Sequence, residues 1–306
     1  MSRLVVIIGP TGIGKSRLAL HLAQALDGEI VSADSRQVYR YLDIGTAKPT
    51  PQEQAQVRHH LIDIMDPGQN FSLAQYQQLA NEAIRDIRQR RKLALLVGGS
   101  GLYIWSVVEG WEIPEVAPDP KLRLQLERKA AEIGYDGLYQ ELLQVDPAAA
   151  RQIDPRNLRR TIRALEVYRN TGIPFSQQRC KRAPLSDILV IGLTAGRAEL
   201  YRRIDRRVDE MIDGGLVGEV QRLAAMGYGF GLPAMSGIGY KQIGMFLEGK
   251  VDLAAAARLM KTETHRLARH QYAWFKLKDD RIKWFTVPGE VEPEITELVT
   301  GFIAKK

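Results

Sequence analysis

Five apolar residues, Leu4-Val5-Val6-Ile7-Ile8, run straight into Gly9-Pro10-Thr11-Gly12-Ile13-Gly14-Lys15-Ser16, and this junction limits the fold more than any other stretch. The loop reads G-x-x-x-x-G-K-S. Glycines at that spacing let successive backbone N–H groups point inward around a polyphosphate, while Lys15 adds a point charge and Ser16 offers a hydroxyl to Mg²⁺, directly or through a water. The helix expected from Lys15 turns its positive end toward the same anion. An apolar strand before the loop and helical spacing over 17–26 after it imply an α/β fold, a P-loop NTPase-like parallel sheet flanked by helices. The motif leaves open which phosphate compound is held and whether anything is hydrolysed.

With 306 residues the chain can bury a core without covalent staples. Its one cysteine, Cys180, excludes an internal disulfide and any multi-cysteine zinc site, so a reducing cytosol is the expected compartment. No apolar run approaches the roughly 20 residues of a membrane span, and Met1-Ser2-Arg3 leads into the first strand without a leader, so no membrane partner is expected. The net charge of +7 is uneven: residues 151–207 hold 14 Lys or Arg against 5 Asp or Glu, a larger excess than that of the whole chain. Solvated helix faces mix signs, so this segment favours a polyanion such as nucleic acid.

A second strand over 29–32 delivers Asp34-Ser35-Arg36-Gln37. In open α/β sheets ligands bind at the carboxyl ends of the strands, which puts Asp34 on the rim that carries the phosphate loop. There its carboxylate can take a proton from a nucleophile, with Ser35 and Gln37 on a planar polar group such as a base edge. Equally, Asp after a strand caps the next turn. His59 and His60 fall on a strand over 59–64 and point to opposite faces, which suits hydrogen bonding and not metal ligation. A helix over 73–91 is capped by Ser72. The strand over 93–97 ends in Gly98-Gly99-Ser100-Gly101, where many NTPases with this loop place an acidic residue for Mg²⁺. Such a turn either brings N–H groups and a hydroxyl to a ligand or simply reverses the chain.

From Trp111 the chain turns proline-rich and then helical as far as Pro184-Leu185-Ser186, which reads as an all-helical insertion, 116–185, in a core of 1–115 and 186–306. Within it Arg156, Arg160 and Arg163 recur at i, i+4 and i+7 as one basic stripe, and Glu166 is too little acid to neutralise it. After a strand over 188–193, a helix carries Arg202, Arg203, Arg206 and Arg207, one of which can reach into a phosphate site; spacing does not say which. A long helix over 253–275 mixes basic and aromatic residues, a composition open to packing on the sheet or to stacking on RNA.

Taken together, the phosphate loop, Asp34-Ser35-Arg36-Gln37-Val38-Tyr39, the stretches 43–49, 59–63, 98–103 and 157–167, Gly239-Tyr240-Lys241, and Arg269-His270-Gln271-Tyr272-Ala273-Trp274-Phe275 resemble the tRNA dimethylallyltransferases, also called tRNA isopentenyltransferases. The resemblance runs from Val5 to about Lys276. It implies a monomeric cytoplasmic enzyme that moves a dimethylallyl group from dimethylallyl diphosphate to N6 of the adenosine immediately 3′ of the anticodon, in tRNAs reading codons that start with U. By this resemblance Gly9, Pro10, Thr11, Gly12, Ile13, Gly14, Lys15 and Ser16 hold the donor's diphosphate where the bare motif suggests ATP, with Mg²⁺ near Ser16. Arg207 is then the second diphosphate clamp and Asp34 the general base. Asp34, Ser35, Arg36, Gln37, Ser100, Arg123, Arg159, Arg160, Thr161, Ile162 and Arg163 contact tRNA, and the helical insertion is a tRNA-binding lid. Position 100 is more often threonine in the family, which keeps the hydroxyl, and the zinc extension of eukaryotic members is absent, as in the bacterial type. The rival readings are a small-molecule or nucleotide kinase and a non-catalytic RNA-binding switch.

Overall fold

The computed structural model describes residues 3–113, 116, 118–177 and 187–305; Cys180 and the expected end of the insertion at Pro184-Leu185-Ser186 lie outside them. Six strands, β1 (Leu4–Ile8), β2 (Gly28–Ala33), β3 (His59–His60), β4 (Leu93–Gly98), β5 (Ile188–Thr194) and β6 (Ile282–Thr286), form one sheet in the order β3-β2-β4-β1-β5-β6. Every pairing is parallel. All residues of β1, β2 and β4 are buried; β1 and β4 are continuous apolar runs covered on both faces, while β2 also buries the polar Glu29 and Ser32. β1 is central, and the chain builds outward from it in both directions, so the loop leaving β1 opens at the point where strand order reverses.

The helices are α1 (Lys15–Ala25), α2 (Pro51–Gln56), α3 (Leu73–Gln89), α4 (Gly101–Val108), α5 (Pro120–Val145), α6 (Pro147–Ala150), α7 (Leu158–Thr171), α8 (Arg197–Asp213), α9 (Leu216–Ala225), α10 (Tyr240–Leu247), α11 (Leu253–Trp274) and α12 (Val291–Ala304). Ser72 caps α3 as expected and forms a reciprocal box with Gln75. The strand expected over 59–64 is cut to two residues because Leu61 and Asp63 take φ of 64° and 56°. Those histidines make local bonds: His59 Nδ1 meets the Val57 carbonyl at 2.8 Å, and His60 Nε2 meets the buried Glu29 carboxylate at 2.8 Å. Among the described residues no group of three or more His, Cys, Asp or Glu could hold a metal, and no helix is long and apolar enough to cross a membrane.

The chain forms two compact units, Met1–Val108 with Leu185–Lys306, and Glu109–Pro184. In the first, α1, α8, α11 and α12 bury Leu18, Leu22, Leu200, Ile204, Ala268, Ile295 and Val299 with the sheet. A second core in the same unit joins Val38, Tyr39 and Leu42 to α9 and α10. The other unit has its own core, where Leu126, Ala130, Leu138 and Leu142 of α5 meet Ile162 and Leu165 of α7. α5 breaks at Gly134 (φ 78°, ψ 164°), a positive φ that suits glycine.

Candidate active site

Three charged side chains meet at the carboxyl rim of the sheet. Lys15 opens α1 directly after Gly14, whose φ of 107° suits glycine, and its ammonium donates to the Pro10 carbonyl at 2.8 Å. Loss of water around that ammonium, helped by the nearby Arg207 guanidinium, lowers its pKa to about 7 against the opposing pull of Asp34. Ser16 is exposed. On α8 the four arginines separate clearly. Arg202 and Arg203 both pair with Glu199, and Arg206 reaches Glu210. Arg207 has no ion pair among the described residues. Burial depresses its pKa, while Asp34 and Glu210 oppose the shift. Arg207 is therefore the arginine that shares its surroundings with Lys15 and Asp34.

Asp34 follows β2, and its Oδ1 accepts from the N–H groups of Arg36 (2.8 Å) and Gln37 (3.4 Å). The turn-capping reading is thus correct for that oxygen. Among the described residues Oδ2 carries no such bond, and the carboxylate's charge is felt by Lys15, Arg207, Tyr76 and Tyr103. Its neighbours in the sequence differ from expectation. Gln37 spends both ends of its amide inside the protein, accepting from the Ser32 hydroxyl at 3.0 Å and donating to the Thr46 and Ala47 carbonyls at 3.3 Å each. Arg36 donates to the Pro233 carbonyl at 2.5 Å and to the Ser236 hydroxyl at 3.3 Å. Both brace the Asp34 loop, and the Gln37 amide expected on a base edge is engaged with Ser32, Thr46 and Ala47 inside the protein. Ser35 and Ser100 are half-buried, and the Ser100 N–H lies 3.4 Å from the Ala33 carbonyl, beside Asp34.

Two supporting residues escaped the sequence reading. Gln271, a buried polar residue on α11, accepts from the Thr11 N–H at 2.8 Å and donates to the Gly99 carbonyl at 3.1 Å. Its amide ties the phosphate loop to the loop after β4. A Cβ at position 99 would lie 2.2 Å from Gln271 Nε2, so close packing accounts for that glycine without a ligand. Glu219, on α9, is 2 % exposed and accepts from the N–H groups of Asp43 (3.2 Å), Ile44 (2.8 Å) and Gly45 (3.3 Å) and from the Tyr240 phenol (2.6 Å). It fixes the loop on which Gln37 rests. The available signal was a polar residue on an otherwise apolar face: Gln271 is in register with Ala268, and Glu219 with Leu216 and Leu223.

The helical unit corrects the expected stripe. Asn157 caps α7, so Arg156 lies before the helix and pairs with Asp154. Glu166 is fully buried; it takes Arg123 through two bonds of 2.8 and 2.9 Å and Arg163 through one of 2.6 Å, and also accepts from the Asp119 N–H. Burial alone would raise the Glu166 pKa, yet these bonds hold it below the usual carboxylate range. One acid thus neutralises what its position in the sequence hides, because Arg123 arrives from another helix. Thr161 and Ile162 are only 1 % and 5 % exposed, and Ile162 packs in this unit's core. Arg159 and Arg160 are exposed and have no carboxylate partner among the described residues.

The IPP transferase family model matches residues 37–278. The chain is 54 % identical over 276 residues to a tRNA dimethylallyltransferase of Roseiflexus castenholzii, a match covering 90 % of each. The chain belongs to the IPP transferase family. Among solved structures it resembles the full-length tRNA isopentenylpyrophosphate transferase of Bacillus halodurans, with a TM-score of 0.72 and 39 % identity, covering 99 % of this chain and 97 % of that one. It also resembles a eukaryotic dimethylallyltransferase acting on tRNA, with a TM-score of 0.79 and 27 % identity over 93 % of this chain and 73 % of that one. The family model begins beyond the phosphate loop, whereas the likeness to the Bacillus structure takes in nearly the whole chain.

Proposed function

We propose that this IPP transferase family member moves a dimethylallyl group from dimethylallyl diphosphate to N6 of the adenosine immediately 3′ of the anticodon, in cytoplasmic tRNAs reading codons that start with U. The relatives' names support the reaction. The observation that carries the residue roles is the shared electrostatic environment of Lys15, Arg207 and Asp34. Two cations suit a diphosphate and one carboxylate suits a base, and β4 ends in glycine where hydrolases place an acid.

The adenine amine is a weak nucleophile because its lone pair is shared with the ring. Asp34 accepts the N6 proton as that lone pair forms the new C–N bond to the allylic carbon. The carbon–oxygen bond to the diphosphate breaks and its electron pair leaves with the phosphate. Lys15, Arg207 and the N–H groups of Gly12, Ile13, Gly14, Lys15 and Ser16 take up that charge, each contributing on the order of 2–4 kcal/mol. The Thr11 N–H is already occupied by Gln271. Mg²⁺, when bound, supplies further neutralisation of the diphosphate; the exposed Ser16 fits that role, and most other ligands would come from the phosphates themselves. Extracting the target base from its stack costs a few kcal/mol. Arg159 and Arg160 offer phosphate contacts that offset this cost.

The test is mass analysis of an anticodon stem-loop incubated with the protein, Mg²⁺ and dimethylallyl diphosphate in the absence of ATP. The stem-loop should gain one dimethylallyl group in place of a hydrogen. An unchanged mass, or a gain that requires ATP, overturns the proposal.

A further inference from the structure

Tyr103 belongs to the loop–helix motif after β4, yet none of the roles above uses it. Its ring is held on two sides: it stacks on Tyr76 with centroids 3.7 Å apart and planes 15° apart, and its neighbour Phe71 lies edge-on at 6.5 Å. Tyr76 is itself anchored, donating from its phenol to the Ser32 carbonyl two residues before Asp34. The stack therefore stands over the end of β2, where Asp34 leaves the sheet. Tyr103 is 8 % exposed, and its hydroxyl has no hydrogen-bond partner among the described residues. Burial raises its pKa well above the usual phenol range, with smaller contributions from Tyr39 and Asp34 and an opposing one from Arg36, so the phenol keeps its proton near neutral pH.

Through that stack Tyr103 and Asp34 are both tied to the end of β2, and a phenol donor and a carboxylate oxygen without partners among the described residues make a two-point reader. Adenine offers the complement: its exocyclic N6–H is a donor, flanked on either side by a ring nitrogen, N1 or N7, that accepts. Guanine presents a carbonyl at the corresponding position, which would face the Asp34 carboxylate acceptor against acceptor. The geometry points to Tyr103 as a specificity-determining residue that donates its hydroxyl to the adenine ring nitrogen beside the amine held by Asp34. The inference rests on the transfer reaction proposed above. It adds a reason for the choice of base: the pair Asp34 and Tyr103 selects adenine by one accepted and one donated bond.

The experiment compares wild type with Tyr103→Phe on three anticodon stem-loops, with adenosine, 1-deazaadenosine or 7-deazaadenosine at the target position, supplied with dimethylallyl diphosphate and Mg²⁺. Phenylalanine keeps the stack on Tyr76, and each analogue is compared with adenosine within one protein, so equal stability of the two proteins is not required. Wild type should lose about tenfold in kcat/KM on whichever analogue lacks the recognised nitrogen. Tyr103→Phe should lose about as much on adenosine and nothing further on that analogue. Equal losses on the analogues in both proteins, or an unimpaired Tyr103→Phe, would overturn the role of Tyr103. Failure of wild type to modify the adenosine stem-loop would overturn the transfer reading instead.

Discussion

Loss of surrounding water and the neighbouring Arg207 bring Lys15 to about 7, so the lysine is only partly charged in the free protein near neutral pH. The sign of the pH dependence follows. A diphosphate binds the protonated form better, so donor affinity should be flat below pH 7 and fall as pH rises through that value, by up to about tenfold per unit. Calorimetry in buffers of different ionisation heat should show proton uptake on donor binding at pH 8 and almost none at pH 6; equal uptake at both would remove Lys15 from the linkage. At Asp34 the two oxygens separate structure from chemistry. Asp34→Asn keeps an oxygen for the Arg36 and Gln37 N–H groups and removes the base, so it should fold, bind stem-loop within tenfold of wild type and transfer about 10²–10⁴ times more slowly. Near-normal transfer would place the base elsewhere. Lys15 and Asp34 were legible in the sequence because a fixed motif and a strand end position them locally. Arg207 was legible only through the family resemblance, because spacing does not separate the four arginines; in the structure the pairing of Arg202, Arg203 and Arg206 with acids on their own helix sets it apart.

At the level of elements, the active rim depends on side chains that reach it from distant parts of the chain. Gln271 lies 260 positions from Thr11, and no periodicity in the sequence joins a glutamine on α11 to the loop after β1. Gln271→Leu should raise the donor KM about tenfold by releasing two loop contacts while leaving stem-loop affinity unchanged. Steady-state kinetics decide the matter: a shift confined to the RNA constant would make Gln271 an RNA contact. The helices expected over 73–91 and 253–275 appear within two residues of those bounds, the first capped by Ser72 as expected, the second by Asp252. The strand at His59 came out too long because positive φ at Leu61 and Asp63 is set by tertiary bonds, among them the near-buried Lys48 ammonium 2.6 Å from the Asp63 carboxylate. On α7, Arg163→Ala removes one of two arginines from buried Glu166. It should cost about 1–3 kcal/mol of stability, read from denaturant unfolding, with little change in salt dependence.

Over the whole molecule, part of the positive charge in residues 151–207 is paired within the protein: Arg156 with Asp154, Arg163 with Glu166, Arg202 and Arg203 with Glu199, and, with acids outside the segment, Arg169 with Glu141 and Arg206 with Glu210. Arg159 and Arg160 are left for a polyanion. Replacing both with alanine should weaken stem-loop binding and lower the slope of log affinity against log salt by about one to two; an unaltered slope would take them off the RNA surface. The central claim is that a loop built like that of a nucleotide hydrolase holds a prenyl diphosphate, with an acid across from it to receive the proton from the RNA base. A crystal structure with an unreactive thio-analogue of dimethylallyl diphosphate and an anticodon stem-loop tests it most directly. Both phosphorus atoms should lie in the 9–16 loop, within reach of Lys15 and Arg207, with Asp34 Oδ2 on N6 of the target adenosine. Phosphates lodged elsewhere, or Asp34 turned away from the base, would contradict it.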